Sequence, residues 1–178
     1  MIHNKYILQF VGAIYVLFFT SLLLPIAQFG IVPRTIKGIA GIFLAPFFHG
    51  SFRHLISNTV PLIVLLFILN TFYPKKAVSV VIFSTLAGGF LVWLLGRSAN
   101  HIGASGLIYG LAAFLMANGF IEKKMVPLMI SVGVILLYGG MIWGVFPSVN
   151  RYISWEGHLF GAIAGVLAAY LLKGSVNA

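Results

Sequence analysis

The feature that most constrains this chain is a series of apolar runs, each close to the length that crosses a lipid bilayer. A helix rises about 1.5 Å per residue, so roughly 20 apolar residues cover the ~30 Å hydrocarbon core. The runs cover residues 6–24, 55–73, 77–95 and 126–146, with shorter ones at 106–121 and 159–172. With 61% hydrophobic and 7% charged residues among 178, the sequence predicts an all-α membrane protein, one domain (1–178) of six transmembrane helices.

Two segments need a separate interpretation. The first run is longer than the apolar region of a typical signal peptide, and the residues after it offer no small-x-small cleavage site, so we expect a span. The long connection between spans one and two, residues 25–53, has an apolar centre interrupted by Gly38, Gly41 and Pro46. We expect this long loop to lie in the membrane interface.

The net charge of +9 comes from basic residues scattered singly or in pairs between the spans, a pattern typical of membrane orientation. We therefore predict no nucleic-acid partner; the lipid bilayer is the predicted environment. One side carries Lys5, Lys75, Lys76, Lys123, Lys124 and Lys173, and the other Arg34, Lys37, Arg53, Arg97 and Arg151. Because the lysine pairs lie in very short loops, the pattern favours a cell (inner) membrane protein with both termini cytoplasmic.

Four polar side chains lie where a hydrocarbon environment makes them costly, which marks them as functional candidates. They are His54 and Asn58 in span two, Ser105 before span four and His158 before span six. All four fall at the starts of even-numbered spans. In an antiparallel bundle these starts share one membrane face, so we expect the four groups to lie at similar depth, with the site opening toward the outer face.

Glycine spacing predicts which helices touch. Gly106 and Gly110 form one small-xxx-small pair, and Gly157, Gly161 and Gly165 form a longer series. Such positions let helix backbones approach closely in lipid. Contact between spans four and six would bring Ser105 and His158 within reach of each other, the arrangement in which a neutral imidazole activates a hydroxyl as a nucleophile.

The remaining chemistry follows from what the chain contains. It has no Asp, no Cys and two Glu, so an aspartate dyad, a thiolate nucleophile and an H-E-x-x-H zinc site are excluded. Glu156 lies two residues from His158, and such neighbours on a helix do not face each other. The prediction is a Ser–His dyad without metal or cofactor. Tyr109 is expected to stack on His158, and His54, Asn58 and the Ser105 amide are candidate oxyanion donors.

These residues resemble the rhomboid intramembrane serine proteases of the bacterial six-span type, over almost the whole chain. The resemblance rests on three motifs: H-x-x-x-N with a further histidine before it, G-x-S-G with a following tyrosine, and H-x-x-G-x-x-x-G. The matching residues are His49, His54, Asn58, Gly103, Ser105, Tyr109, His158, Gly161 and Gly165. The first long loop departs from the family because it lacks the usual Trp-Arg pair, and Gly157 stands where many members have alanine.

The resemblance implies cleavage of single-span transmembrane proteins within or near their membrane segment. Ser105 would be the nucleophile, His158 the general base, and His54, Asn58 and the Ser105 amide the oxyanion donors. It also implies lateral substrate access between spans two and five, beneath a mobile cap at residues 147–157. The sequence identifies neither the natural substrate nor the oligomeric state.

Three alternatives stay open from the sequence. The chain could be a catalytically silent relative that binds transmembrane helices without cutting them. It could be a small transporter or metal carrier that uses His49, His54, His101 and His158, although it lacks carboxylates to accompany them. Within the protease hypothesis, His101 is a reserve base, but Gly103 should break any helix that would align it with Ser105.

Overall fold

The computed structural model describes residues 4–147 and 153–174, and within them the fold is built from helices. Seven α-helices follow one another: α1 (Asn4–Ser21), α2 (Ile36–Leu44), α3 (Phe52–Phe72), α4 (Pro74–Leu95), α5 (Ser105–Glu122), α6 (Met125–Tyr138) and α7 (Trp155–Leu171). Three short 3-10 helices accompany them: Pro25–Phe29, Ala45–Phe47 and Gly139–Val145. The prediction of an all-α membrane protein is confirmed.

Four helical segments are long and apolar enough to cross a membrane: Phe52–Phe72, Pro74–Leu95, Ser105–Glu122 and Met125–Val145. The chain is therefore a multi-pass membrane protein. The apolar helix at Lys5–Ser21 is shorter, and α7 has 17 residues. The count of six spans and the interfacial position of the long loop remain predictions.

Two helices differ in extent from the apolar runs that predict their spans. The last helix begins at Trp155 rather than at residue 159, because Ser154 caps it by accepting a hydrogen bond from the Gly157 N–H at 3.2 Å. The apolar run at 126–146 is not one α-helix either. It is α-helical up to Tyr138 and continues as the 3-10 helix Gly139–Val145. Apolar composition alone distinguishes neither a cap nor a change of helix type.

Helix α5 lies at the centre of the bundle and packs against α3, α4, α6 and α7. Half of its most apolar stretch is buried, against 11% for the segment that contains α6. Leu111, Phe114 and Leu115 on α5 are fully enclosed. The residue that begins α5, Ser105, is therefore attached to the best-supported element of the fold.

The predicted contact between spans four and six is confirmed, and it is made by backbone. A Cβ atom built on Gly161 would lie 2.1 Å from the carbonyl oxygen of Gly106, and one on Gly165 would lie 2.0 Å from that of Gly110. These distances leave no room for any side chain larger than hydrogen. The glycines thus let the backbones of α5 and α7 touch directly.

The long connection before α3 is fastened to the loop before α5. Ile31 and His101 exchange two backbone hydrogen bonds of 2.9 Å each. The guanidinium of Arg34 donates to the carbonyl oxygens of Leu94 and Gly96, which satisfies the C-terminal end of α4. The connection is therefore held against α4 and the start of α5.

Candidate active site

A cavity of about 860 Å³ opens between the starts of α3, α5 and α7 and the end of the α6 segment. The four polar residues singled out from the sequence, and Tyr109 with them, line this one cavity: His54, Asn58, Ser105, Tyr109 and His158. The bundle therefore brings together side chains that are far apart in the sequence: His54 and His158 are separated by 104 positions. Polar groups from several elements that converge on one cavity are typical of a reaction or binding site.

Ser105 is the first residue of α5, and Ala104 precedes the helix. A helix start leaves its first N–H groups without intrahelical acceptors, and it carries the positive end of the helix dipole. The serine hydroxyl thus lies beside backbone donors that favour a negative charge. An alkoxide or an oxyanion that forms here would be stabilised by α5 itself.

The imidazole of His158 has a fixed orientation and tautomer. Its Nδ1 atom lies 2.9 Å from the carbonyl oxygen of Gly144, and because a carbonyl only accepts, Nδ1 carries the proton of the neutral ring. Tyr109 stacks on the ring with a centroid distance of 4.2 Å and an interplanar angle of 5°, as predicted. The Tyr109 hydroxyl donates to the carbonyl of Met141 at 2.9 Å. Nε2 is left with its lone pair.

Glu156 does not orient His158. Its Oε1 atom lies 3.5 Å from Nε of Arg97 and accepts from the Arg97 backbone N–H at 3.4 Å. The Glu156 side chain is buried, and within the described residues it bonds Arg97 and not His158. A carboxylate-oriented triad through Glu156 is therefore absent from this arrangement, and a carbonyl and a stacked ring take its place.

Ser105 and His158 lie on either side of a contact between the starts of α5 and α7. Gly106 and Gly157, their immediate neighbours, approach so closely that a Cβ on Gly106 would lie 3.3 Å from the Gly157 carbonyl oxygen. Among the described residues, no hydrogen bond joins the Ser105 hydroxyl to the His158 ring. The two side chains share the cavity wall without being locked to each other.

His54 and Asn58 lie one turn apart on α3. The Asn58 side-chain amide donates to the His54 carbonyl at 2.7 Å, and within the described residues its oxygen has no partner, although it is buried. The His54 ring lies against Gly103, where a Cβ would come within 2.7 Å of it. Gly103 has φ +116°, a conformation that favours glycine. The backbone conformation and the adjacent His54 ring therefore both exclude any side chain at this position.

His49 lies beneath the site as a buried support. Its ring is 4.9 Å from that of His54, edge to face, and its Nε2 accepts from the Ala104 N–H at 3.5 Å. Burial, assisted by the neighbouring His54, lowers the pKa of His49 to about 4. The ring is neutral at pH 7 and links the start of α5 to the start of α3.

His101 is engaged in holding α7 rather than free to act as a base. Its Nδ1 lies 2.7 Å from the Ser154 hydroxyl, and its Nε2 lies 3.0 Å from the Arg97 carbonyl. Burial lowers the pKa of this imidazole, which favours the neutral ring; in that form Nε2 donates to the Arg97 carbonyl and Nδ1 accepts from the Ser154 hydroxyl. The ring therefore buttresses Ser154, the residue that caps α7 four positions before His158.

Two residues that position the site, Ser154 and Gly144, were not identified from the sequence. Ser154 carried a recognisable signal, since a serine directly before an apolar run commonly caps a helix. Gly144 carried none, because its contribution is a main-chain carbonyl.

The predicted cap at residues 147–157 includes 148–152, with Arg151 among them, which lie outside the described residues. No cluster of three or more His or Glu side chains suited to a metal ion occurs in the part of the chain described.

Comparison with known proteins gives a consistent set of matches. A family model described as "Rhomboid domain" matches residues 37–175. Uncharacterized protein Rv1337 of Mycobacterium tuberculosis is 39% identical over 152 residues, which cover 81% of this chain and 63% of that protein. Uncharacterized protein ML1171 of Mycobacterium leprae is 40% identical over 141 residues, 75% of this chain and 56% of that protein. The chain thus spans less than two thirds of the length of these relatives.

Proposed function

Because the chain belongs to the rhomboid family, we propose that it is an intramembrane serine endopeptidase that works through a Ser105–His158 dyad. Its substrates are single-span transmembrane proteins, cut within or near the membrane segment. One observation carries the proposal: the hydrogen bond from His158 Nδ1 to the Gly144 carbonyl. That bond leaves Nε2 as the basic nitrogen of a ring that borders the same cavity as Ser105.

In the first half of the reaction, the Ser105 hydroxyl attacks the scissile carbonyl carbon while His158 Nε2 takes its proton. The imidazolium then gives that proton to the leaving amine as the C–N bond breaks, and an acyl-serine remains. In the second half a water molecule attacks the acyl-serine while His158 Nε2 takes its proton, and the imidazolium returns that proton to Ser105 Oγ as the ester C–O bond breaks and the carboxylic acid product leaves. Within the described part of the chain the Ser105 hydroxyl makes no hydrogen bond to His158, and catalytic hydrogen bonds of this kind often form only with substrate present.

The negative charge of each tetrahedral intermediate needs donors. The Ser105 N–H at the start of α5, the Asn58 side-chain amide and the His54 ring are the groups proposed for this role. Donors fixed before the reaction begins cost no reorganisation when the charge develops. The short Asn58 bond to the His54 carbonyl uses one amide hydrogen and leaves the other for an oxyanion.

Lateral access between α3 and α6 is part of the same proposal. Helix α3 packs mainly against α1, α4 and α5, and α6 is the least buried of the apolar segments long enough to span. A substrate helix that approaches from the lipid would therefore displace few contacts at this side of the cavity. Cytoplasmic termini, an inner-membrane location and a site that opens toward the outer face complete the proposed arrangement.

The decisive experiment compares purified variants on a fluorogenic single-span substrate in detergent. Ser105→Ala and His158→Ala should abolish cleavage, while Ser79→Ala, which removes an exposed serine on α4, should cut normally. Asn58→Ala should lower kcat about 10²–10³-fold with a smaller effect on KM, because an oxyanion donor acts in the transition state. Cleavage that persists in Ser105→Ala contradicts the dyad.

A fluorophosphonate probe distinguishes a protease from a silent relative. Labelling of the wild type that is lost in Ser105→Ala and kept in Ser79→Ala indicates an activated nucleophile. A wild type that binds the model substrate but neither cleaves it nor takes the label would be a helix-binding protein without catalysis.

A further inference from the structure

A second cavity, of about 410 Å³, lies at the membrane face opposite the candidate active site. It is bordered by the turn between α3 and α4, the turn between α5 and α6, and the end of α7. The candidate active site is formed where α3, α5 and α7 begin. This cavity forms where the same three helices end, so nothing in the proposed reaction uses it.

Lysines dominate the polar lining of this cavity. Lys75, Lys76, Lys124 and Lys173 border it, and Glu122 is the one acidic side chain among the lining residues. Lys76 is buried and forms an ion pair with Glu122, which neutralises both charges. The other three lysines are exposed at the cavity rim, so the site keeps about three positive charges.

No acidic side chain of the chain is left to balance those charges. The sequence contains only Glu122 and Glu156, and Glu156 is paired with Arg97 at the opposite face. The start of α6 adds to the positive field, because its N-cap residue Lys124 makes no side-chain capping bond and the first N–H groups lack intrahelical acceptors. The recess therefore carries a positive field that favours an anionic ligand.

The cavity wall that faces the lipid is apolar. Phe72 and Val126 border it with about half of their surface exposed, and Ile130 lies beside them. A cationic recess beside an apolar face complements an amphiphile, with an anionic head and hydrocarbon chains, better than a free ion. Basic pockets between transmembrane helices are known to bind the head groups of anionic lipids.

We propose that this cavity is a binding site for the phosphate head group of an anionic phospholipid. The phosphate lies among Lys75, Lys124 and Lys173, and the acyl chains follow the exposed surfaces of Phe72 and Val126. The site is independent of the Ser105–His158 chemistry. Phosphatidylglycerol is a suitable probe because it carries one phosphodiester charge and no other.

The test uses native mass spectrometry of the full chain in neutral detergent, titrated with phosphatidylglycerol or phosphatidylcholine. The test variant is Lys75→Gln/Lys124→Gln/Lys173→Gln. The matched control is Lys5→Gln/Lys37→Gln/Lys123→Gln, which removes the same charge from lysines outside the cavity. We expect one phosphatidylglycerol per wild-type chain, at concentrations where phosphatidylcholine leaves no adduct.

Each lysine near an anionic head group contributes about fivefold in affinity, so the test variant should bind about 100-fold more weakly. The control should stay within about twofold of wild type. Equal weakening by both variants would mean diffuse surface charge and would overturn the site. Displacement of the lipid by inorganic phosphate at equal concentration would overturn the lipid in favour of the free anion.

If the triple variant folds poorly, the single variant Lys173→Gln still tests the site. The Lys173 side chain is exposed just after the end of α7, so its replacement should leave the fold intact. It should weaken phosphatidylglycerol binding about fivefold. Unchanged binding in this variant contradicts the proposed arrangement.

Discussion

Helices α6 and α7 both pack on α5, but they do so in different ways. Helix α7 crosses α5 backbone to backbone at Gly161 and Gly165. Helix α6 meets the α5 backbone near its own start, where a Cβ on Gly119 would lie 2.4 Å from the Pro127 carbonyl oxygen. Farther along α6, the buried polar contact is made by one side chain, Ser131, which bonds the Leu115 carbonyl and the Gly119 N–H, and the segment that contains α6 is only 11% buried. Backbone contacts cannot be compressed or rotated, whereas side chains can repack. The contacts of α7 therefore hold the site in place, whereas α6, at the side of the cavity, can move more easily.

The two modes meet at one point. The 3-10 helix Gly139–Val145, which continues α6, supplies the Gly144 and Met141 carbonyls that hold His158 and Tyr109. The more mobile α6 segment thus ends in the contacts that orient the His158 imidazole. In the proposed protease, movement of this segment would disturb the base as well as open the cavity, and the substitutions below separate the two effects.

The largest effect is expected from filling the α5–α7 contact. Gly161→Val places atoms within 2.1 Å of the Gly106 carbonyl oxygen, so the helices must separate, at a cost of about 3 kcal/mol or more. Gly133→Val on α6 is the matched control, since nothing lies within 4 Å of its Cβ position. Equilibrium unfolding in detergent should show a large loss for the first and little change for the second. Equal losses would remove the contrast between α6 and α7.

A smaller effect, confined to catalysis, is expected at Gly144. A methyl group there would lie 1.9 Å from the Tyr109 hydroxyl and 3.1 Å from His158 Nδ1, which displaces the stacked rings. A shift of about 1 Å in a catalytic group can reduce turnover about 10²-fold, and we expect Gly144→Ala to do so with little loss of stability. Gly140→Ala, with open space around its Cβ, should cleave normally. Full activity of Gly144→Ala would show that the carbonyl does not position the base.

The cap of α7 offers a finer comparison between the two helices. Ser154→Ala removes the hydroxyl that accepts from Gly157 and bonds His101, and it should cost about 1 kcal/mol in the free energy of unfolding. Lys124→Ala alters the same position of α6, where no side-chain cap exists, and should cost close to nothing. Thermal unfolding of both variants measures the difference. A cost at Lys124 that matches the cost at Ser154 would contradict the assignment.

The fourth comparison concerns acid and the start of α5. The pKa of His49 is about 4 in the folded protein and near 6.5 when unfolded, so the unfolded chain binds the proton more readily. Its contribution to stability is complete above about pH 6.5 and is lost as the pH falls toward 4. By pH 4 the difference amounts to about 3 kcal/mol, so wild type should lose about 6–12 °C more in Tm over this interval than His49→Gln. Parallel Tm profiles would place the acid sensitivity elsewhere.

Periodicity and composition were sufficient for the membrane class, the helices and the polar residues at the starts of α3, α5 and α7. The spacing of Gly106, Gly110, Gly161 and Gly165 also predicted a specific helix contact, because close approach in lipid depends on local sequence. The Tyr109 stack followed from the same contact. The apolar runs did not indicate the helix ends at residues 155–159 and 139–146, where a serine cap and a 3-10 helix set them.

The sequence by itself determined which side chains are costly in lipid and which helix faces can touch, since both follow from residue type and the 3.6-residue turn. Only the tertiary structure decided the partners of His158, His101 and the lysines. The Gly144 carbonyl is main chain and carries no sequence signature. The pairing of Lys76 with Glu122, and the cavity beside it, depend on how helix ends distant in sequence come together. Those contacts depend on crossing angles and loop paths, to which many residues contribute.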